Sequence, residues 1–382
     1  MSEIVVNARA KADLGSKGGT GSSIGRDKIE LTTAVGRNIQ DYIKTIPFAK
    51  TLNGNEGAVT IAGQNNRYNS FYIDGAINND VFGLANSGTN GGQTGAAPIS
   101  IDAIDQFQVM ISPYDASVGN FTGGGINAVT KGGTNKMEGS VYYLFRNEKL
   151  AGKNPLQRKD TAQRFPAFNN KTYGFRVGGP IIKNKLFYFV SFEQQRDETP
   201  QLFDFATYKG NTNTLAGVQA LIDTVKNRYG YDMGAWQQTT RKLDVDRVTA
   251  KIDWNVNPNH RVTISGRYNK AVANNPSLSS STSINFSNGG VYFPNRTTSF
   301  SAELKSVLSK SISNKLLATY SDVLDDRSIV GNPFPRVTLN DGSGSIIFGG
   351  ENSSTQNLLT QKNLSIVDNV RWNIKTTLFL QV

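Results

Sequence analysis

The chain after residue 136 alternates apolar and polar residues in segments of about ten residues, the length of a strand that crosses a bilayer. Between residues 248 and 256, apolar side chains occupy every even position and polar side chains every odd position. A period of two places the two sets on opposite faces of a β-strand. The pattern predicts strands at residues 138–147, 171–179, 185–195, 246–257, 260–270, 297–308, 314–324 and 363–374.

The connections between the predicted strands alternate strictly between short and long. The short ones are tight turns at residues 179–184, 258–259 and 310–313, and the long, polar ones are at 148–170, 196–244, 271–296 and 325–362. In an up-and-down antiparallel sheet, all the short turns lie at one rim and all the long loops at the other. This is the plan of an outer-membrane β-barrel. A soluble β-sandwich also alternates, so the strands alone leave both architectures open.

The pattern differs between residues 31 and 135, where short elements are separated by Gly- and Asn-rich loops. Helical spacing of apolar residues from 35 to 43 predicts a helix that Pro47 ends. The loop of Asn, Gly, Ser and Thr at 78–98 is too long for a passive connection and is a candidate functional loop. Short strands are predicted near residues 58–63, 71–76, 107–111 and 124–131.

The first 30 residues show a third sequence pattern. Ile4, Val5 and Val6 form one short β-branched run. A stretch rich in Gly, Ser and Lys follows, and its composition predicts a flexible linker.

Composition excludes much soluble metalloenzyme chemistry. The 382 residues include one His and no Cys, so disulfides, thiolate zinc sites, cysteine nucleophiles and multi-histidine metal sites are ruled out. We predict no cofactor, no metal site and no catalytic residue. No apolar run reaches the roughly 18 residues of a membrane-spanning helix, and the N-terminus lacks the order of a secretory signal. A membrane role therefore requires a β-barrel.

The net charge of +11 favours anionic partners such as lipopolysaccharide. The basic residues are scattered along the chain and accompany no nucleic-acid-binding motif. Nucleic acid is therefore not a predicted partner.

Two short motifs mimic enzyme sequences. Ser23 lies in a G-x-S-x-G pattern, but a Gly/Ser linker precedes it where a nucleophile elbow needs a buried strand. Residues 123–128 fit G-x-G-x-x-A, but they lead into a predicted strand where a dinucleotide site needs a helix. Neither motif predicts an enzyme.

Several segments resemble the TonB-dependent outer-membrane receptors. The end of that family's plug domain resembles INAVTK at 126–131, and its VDG segment resembles FYIDGA at 71–76. The family's IERIEV element is similar to IDAIDQFQVM at 101–110, and its TonB box resembles EIVVNARA at 3–10. The strand-turn-strand of the Oar-like branch is similar to TYGFRVGGPIIKNKLFYFVSFEQQ at 172–195.

This resemblance implies an α+β plug domain inside a transmembrane antiparallel β-barrel that is mainly β. The implied domains are a TonB box and flexible linker at 1–30, a plug at 31–135 and the first eight or nine barrel strands at 136–382. Because the chain ends within the strand pattern, and lipid does not tolerate unpaired strand edges, we expect the barrel to be incomplete in this chain.

The resemblance also implies a receptor in the cell outer membrane that binds an extracellular ligand and imports it with energy from TonB. TonB would bind Ile4, Val5 and Val6 as a strand added to the edge of a sheet. Outer-membrane lipid and lipopolysaccharide are the other expected partners. Two alternatives remain: a passive outer-membrane adhesin or structural barrel, and a soluble secreted carbohydrate-binding β-protein.

Ligand contacts are expected in the long plug loop. Its candidate residues offer amide, carboxylate and aromatic groups, and they are Asn78, Asn79, Asp80, Phe82, Asn86 and Asn90. The alternative is that the loop simply packs against the barrel wall. A siderophore, a glycan and a peptide are all compatible with these groups.

Overall fold

The structure, a computed structural model, describes residues 19–32, 34, 37–51, 58–113, 118–153, 165–353 and 355–373. A small sheet formed by the first part of the chain lies against one face of a much larger antiparallel sheet. We call that face of the larger sheet the inner face. Within these ranges, no helix is long and apolar enough to cross a membrane.

The small sheet and its flanking elements form a compact α+β unit. Its elements are β1 (Gly19–Gly25), α1 (Arg26–Leu31), α2 (Ile39–Ile43), β2 (Ala49–Thr51), β3 (Val59–Ile61), β4 (Ser70–Ile73), β5 (Ala76–Ile77), β6 (Ile104–Pro113) and β7 (Gly125–Thr130). The five-stranded sheet has the order β1-β6-β7-β4-β5, and only β4 and β7 are parallel. Fully buried Ile24, Ile73, Ile104 and Phe107 centre its core.

The predicted flexible linker is wrong from Gly19 onward. β1 pairs with β6 along its whole length, and α1 follows directly. The small side chains that suggested flexibility permit close pairing instead, because a Cβ on Gly21 would lie 2.8 Å from the carbonyl oxygen of Val109. Buried Ile24 then anchors the strand in the core.

The other predictions for this unit are largely confirmed. Strands β3, β4, β6 and β7 lie where the sequence predicts them. The helix predicted from 35 to 43 is described only as the short α2, and residues 35 and 36 lie outside the described residues.

The large sheet is an antiparallel meander. The remaining elements are β8 (Glu138–Asn147), β9 (Asn169–Ile182), β10 (Leu186–Leu202), α3 (Leu215–Tyr229), β11 (Gln238–Asn257), β12 (His260–Asn275), β13 (Ser283–Asn285), β14 (Val291–Val307), β15 (Ile312–Asp326), β16 (Ser328–Ile329), β17 (Val337–Asp341), β18 (Gly344–Phe348) and β19 (Leu358–Trp372). The sheet order is β8-β9-β10-β11-β12-β14-β15-β19, with β16 beside β14. The eight strands predicted between residues 138 and 374 are therefore confirmed within the described residues, next to the expected neighbours. A ninth predicted strand would lie beyond residue 373, outside the described residues.

Most of these strands are longer than predicted. β11, for example, has 20 residues and begins at Gln238. The additional residues lie mainly at the long-loop ends, where the backbone ladder continues through more polar sequence. The strands therefore extend beyond the about ten residues that a bilayer requires.

The polarity of the large sheet is the reverse of that in a soluble protein. On β11, Val248, Ile252 and Trp254 point away from the small sheet and are 38–44% exposed. Thr249 and Asp253 point inward and are at most 5% exposed. The register aligns the outward apolar residues in rows, one of which is Ile252, Ile264, Ala302, Ala318 and Ile366. An apolar outer face and a polar inner face suit the wall of a membrane barrel and not a soluble β-sandwich.

Three of the long loops fold together into a further layer, which we call the outer cap: residues 203–237, 276–290 and 327–357. The cap contains α3 and a three-stranded sheet of order β13-β18-β17. Val218, Ile284, Phe286 and Ile346 come from all of these loops and are buried in one hydrophobic cluster. The cap therefore has a core of its own.

Candidate functional site

The plug loop uses some of its predicted ligand residues to hold its own conformation. The side-chain oxygen of Asn79 accepts a hydrogen bond from the N–H of Phe71 at 2.7 Å. The carboxylate of Asp80 accepts bonds from the N–H groups of Phe82 and Ala85 at 3.0 and 2.6 Å. Asn79 and Asp80 therefore shape the turn.

Asn78 and Asn90 are also inside the structure, each 2% exposed. The N–H of Asn90 donates to the carbonyl of Asn78 at 3.1 Å, and the Gln361 amide on β19 donates to Oδ1 of Asn90 at 3.3 Å. Nδ2 of Asn78 is buried without a hydrogen-bond partner in the described part of the chain. Asn90 therefore connects the plug loop to the wall, and Asn78 holds Asn90 in place from within the loop.

Phe82 and Asn86 remain on the surface of the loop. Phe82 is 51% exposed, and its neighbours Val81 and Leu84 are 60% and 52% exposed. The side chain of Asn86 is exposed, while its carbonyl accepts a bond from the Asn66 amide at 2.9 Å. The structure therefore brings an apolar tip, and not a row of amides, to the loop surface.

The predicted TonB-binding residues Ile4, Val5 and Val6 lie outside the described residues. The described chain begins with β1, which is an edge strand of the plug sheet.

Asp74 is one of the polar links between the plug and the wall. Its carboxylate accepts bonds from the N–H of Thr130 at 2.8 Å and from the Thr130 hydroxyl at 2.6 Å, and Nζ of Lys251 on β11 lies 3.6 Å away. Burial raises the pKa of Asp74, but the Lys251 ammonium and the bonds from Thr130 outweigh it and lower the pKa overall. Asp74 is therefore ionised at neutral pH.

A second link is a buried network around Glu193 on β10. Glu193 and Arg247 on β11 form an ion pair at 2.6 Å, and their side chains are 4% and 6% exposed. From the plug, the Ser100 hydroxyl donates to Glu193 at 2.8 Å and the Ala97 carbonyl accepts from Arg247 at 3.0 Å. Tyr142 on β8 also donates to Glu193, at 2.7 Å. The buried charges are thus paired and hydrogen-bonded, as buried charges must be.

A third link lies at the long-loop end of the wall. The Gln93 amide donates to the Asp325 carboxylate at 2.9 Å and accepts from Arg327 at 2.6 Å. At this end, the plug itself contributes only uncharged amide side chains to these contacts, those of Gln93 and Asn90.

The chain passes from plug to wall through a tight glycine contact. A Cβ on Gly133 would lie 2.5 Å from the carbonyl oxygen of Tyr188 and 2.7 Å from that of Gly179, so only glycine fits here. Just before it, Lys131 is 4% exposed. Burial, with the nearby Arg176 guanidinium, lowers the pKa of Lys131 to about 8.

Two loops of the outer cap are joined by hydrogen bonds to one carboxylate. Asp341 accepts bonds from the Tyr208 hydroxyl at 2.8 Å and from the N–H and hydroxyl of Thr212 at 3.0 and 2.9 Å. Burial raises the pKa of Asp341, but these hydrogen bonds lower it overall. The interaction joins loop 327–357 to loop 203–237.

Two family models match consecutive stretches of this architecture. The model for the TonB-dependent Receptor Plug Domain matches residues 16–126, which contain most of the small sheet. The model for the Outer membrane beta barrel domain matches residues 129–228, which contain the start of the large sheet. The chain belongs to the TonB-dependent receptors. The small sheet is the receptor's plug, the large sheet is its barrel wall, and the protein is located in the outer membrane.

Relatives support the same family. The TonB-dependent transporter Oar of Myxococcus xanthus is 28% identical over 239 residues, which is 59% of this chain and 20% of that protein. The probable TonB-dependent siderophore receptor PirA of Acinetobacter baumannii is 26% identical over 220 residues, 54% of this chain and 26% of that protein. The chain thus spans about a fifth to a quarter of these curated relatives.

A solved structure shows the same fold. The outer membrane transporter YddB of Escherichia coli superposes with a TM-score of 0.61 at 13% identity, over 94% of this chain and 46% of that one.

The residues that fasten the plug were not predicted from the sequence. The sequence identifies Glu193, Arg247 and Lys251 only as polar positions within predicted strands. The sequence does place charged side chains on the inward face of membrane strands. A charged group buried there destabilises the fold unless an oppositely charged or hydrogen-bonding partner contacts it, so such residues indicate contacts with the plug. Their partners, such as Ser100, come from distant parts of the chain.

Proposed function

We propose that this receptor binds an extracellular ligand at the outer side of its plug and imports it with energy transmitted by TonB. A large barrel leaves an open lumen unless a plug fills it, so import requires that the plug move. The polar character of the contact between plug and wall supports this proposal. Domain interfaces of this kind are typical of parts that move relative to each other.

The observation that carries the proposal is the set of links described above. Asn90 reaches the wall through one hydrogen bond, and Ser100 and Gln93 each through two. Asp74 reaches it through one ion pair. A neutral hydrogen bond contributes about 1 kcal/mol and one to a charged group roughly 1.5–3 kcal/mol, so a pulling partner can break them in sequence.

We propose that residues 1–18, which contain the predicted TonB box, are the coupling segment, and that the plug extends from β1 to about residue 135. The wall follows from residue 136. Of the predicted ligand residues, we assign contacts with the ligand to Phe82 and Asn86, because the others hold the loop in place.

Binding to TonB tests the proposal without knowledge of the ligand. In the full-length receptor, Val5→Pro removes a backbone donor from the added strand, so we expect the affinity for the periplasmic domain of TonB to fall at least about tenfold. Val5→Ile keeps the β-branched side chain and the donor and is the matched control. Isothermal titration calorimetry measures both variants. Equal affinity of wild type and Val5→Pro would instead favour a passive outer-membrane barrel.

A further inference from the structure

Helix α1 links the start of the described chain to both the plug and the wall. It follows β1 directly, and its buried Ile29 belongs to the hydrophobic core of the plug. Arg26 and Glu30 are four residues apart, so their side chains lie on one face of the helix. Within the described part of the chain, these two residues carry the ion pairs of α1, whereas Asp27 and Lys28 are exposed.

Arg26 bridges the plug and the wall at the first turn of α1. Its Nε lies 3.1 Å from Oδ1 of Asp105 on β6 of the plug, and its Nη1 lies 3.5 Å from Oε2 of Glu138 on β8 of the wall. A guanidinium holds its N–H donors in fixed directions in one plane, so it can pair with two carboxylates at once. The start of the helix is therefore tied to both the plug and the wall.

Glu30 makes the corresponding bridge near the end of the helix, with the opposite charge. Its Oε1 lies 3.7 Å from Nζ of Lys131, which follows β7 of the plug, and 3.6 Å from Nη2 of Arg176 on β9 of the wall. Burial, Arg176 and Arg26 lower the pKa of Lys131 to about 8, so its ammonium remains mostly charged at neutral pH. Glu30 raises this pKa, and Asp102 does so more weakly. Glu30 therefore stabilises two cations that repel each other.

α1 has little stability of its own. It has six residues, its N-cap Gly25 offers no side chain to the free N–H groups, and isolated helices of this length are not stable in water. Its position therefore depends on Ile29 and on the four ion pairs of Arg26 and Glu30, which we call the α1 clasp. Because the clasp reaches both the plug and the wall at each end of the helix, it joins the two parts.

We propose that the α1 clasp fastens the N-terminal end of the plug to the barrel wall and is the first contact between plug and wall to break when TonB pulls. The inference rests on the proposed function, in which residues 1–18 transmit the force. Among the described elements, this force reaches β1 and then α1 first, and β1 pairs within the plug sheet. The links at Asp74 and Glu193 follow later in the chain.

Hydrogen exchange in the full-length receptor tests the clasp itself. Mass spectrometry follows the amides of residues 19–31 in detergent, without TonB. Glu30→Lys places a further cation beside Lys131 and Arg176, so we expect exchange of this segment to be at least about fivefold faster. The helix dipole alone would favour lysine near the C-terminus of α1, so it predicts the opposite change. Adding Arg176→Glu restores a pair of opposite charges, and the rate should return to within about twofold of wild type.

Two further variants separate the clasp from general effects on α1. Glu30→Gln removes the charge with little change of shape, and it should accelerate exchange of residues 19–31 by about threefold. Asp27→Asn removes the same charge from an exposed position of the helix and is the matched control, which should leave the rate unchanged. A wild-type rate in Glu30→Lys, or no recovery when Arg176→Glu is added, would overturn the proposal.

Pulling on the N-terminus of the full-length receptor in a lipid bilayer tests the order of events. At constant force, the wait before the extension that releases α1 should shorten at least about fivefold in Glu30→Lys and recover when Arg176→Glu is added. The waits before later extensions of the plug should stay the same. An unchanged release of α1, with changes confined to later extensions, would overturn the proposal. TonB takes no part in either measurement, so failure here leaves the coupling proposal to the Val5→Pro experiment.

Discussion

At the scale of single residues, the receptor depends on polar side chains whose partners are far away in sequence. Asp74 bonds to Thr130 and faces Lys251, and Glu193 collects donors from the plug and from two other wall strands. These contacts hold the plug in position against the wall. The sequence identifies such residues only as polar positions, because their partners depend on the tertiary fold.

Asp74→Asn should weaken the attachment of the plug. The amide still accepts a bond from Thr130, but it no longer neutralises the Lys251 ammonium, so we expect the free energy of opening the plug to fall by about 1–3 kcal/mol at neutral pH. Hydrogen exchange of the plug amides, corrected for the intrinsic rate at each pH, measures this loss.

The pH dependence of that loss has a definite sign. Because the folded-state pKa of Asp74 is lowered, its contribution is complete above its unfolded pKa of about 3.9 and is lost as the pH falls through the folded value. The difference between wild type and Asp74→Asn should therefore persist down to about pH 4 and shrink below it. Asp27→Asn changes an exposed carboxylate of α1 and is the control. A difference that disappears between neutral pH and about pH 5 would contradict this account.

At the scale of elements, the period-two pattern predicts each wall strand, because a strand between lipid and plug needs one apolar and one polar face. The same reasoning fails for β1, since Gly and Ser suggest flexibility and its partner β6 lies about 85 residues away. It also overlooks α3, although Thr214 caps the start of the helix and Gly230 its end. The composition of 196–244 predicts a polar loop, yet Val218 and Val225 supply the buried apolar face of α3.

The outer cap should open as one unit. Phe286 is fully buried in the cap core beside Phe348, so Phe286→Ala should destabilise the cap by about 3–5 kcal/mol. We expect trypsin to cleave faster after Arg228 and Arg336, which lie on the other two cap loops. Mass spectrometry of outer membranes treated with trypsin measures both sites.

Leu215→Ala is the control for the cap, because Leu215 begins α3 and is 59% exposed. It should leave both cleavage rates unchanged. If Phe286→Ala leaves Arg228 and Arg336 as protected as in wild type, the cap loops do not share one core.

At the scale of the whole molecule, the described residues form three layers, the plug, the barrel wall and the outer cap, which differ in where they place apolar and polar side chains. The outer face of the wall is apolar and exposed, its polar inner face contacts the plug, and the cap encloses its own apolar core. The short turns of the meander lie at the opposite end from the cap. In an outer-membrane barrel the long loops face the outside and the short turns face the periplasm.

Cysteine labelling of the full-length receptor on intact cells, with the introduced thiol as its one cysteine, tests this orientation most directly; the 382 residues themselves contain none. Lys209→Cys and Asn352→Cys place exposed thiols on the cap, and Lys183→Cys, Asn259→Cys and Lys310→Cys place exposed thiols on the turns. With a membrane-impermeant maleimide, we predict labelling of both cap thiols and of none of the turn thiols until the outer membrane is permeabilised. Labelling of the turn thiols on intact cells would contradict a plugged barrel with its cap outside.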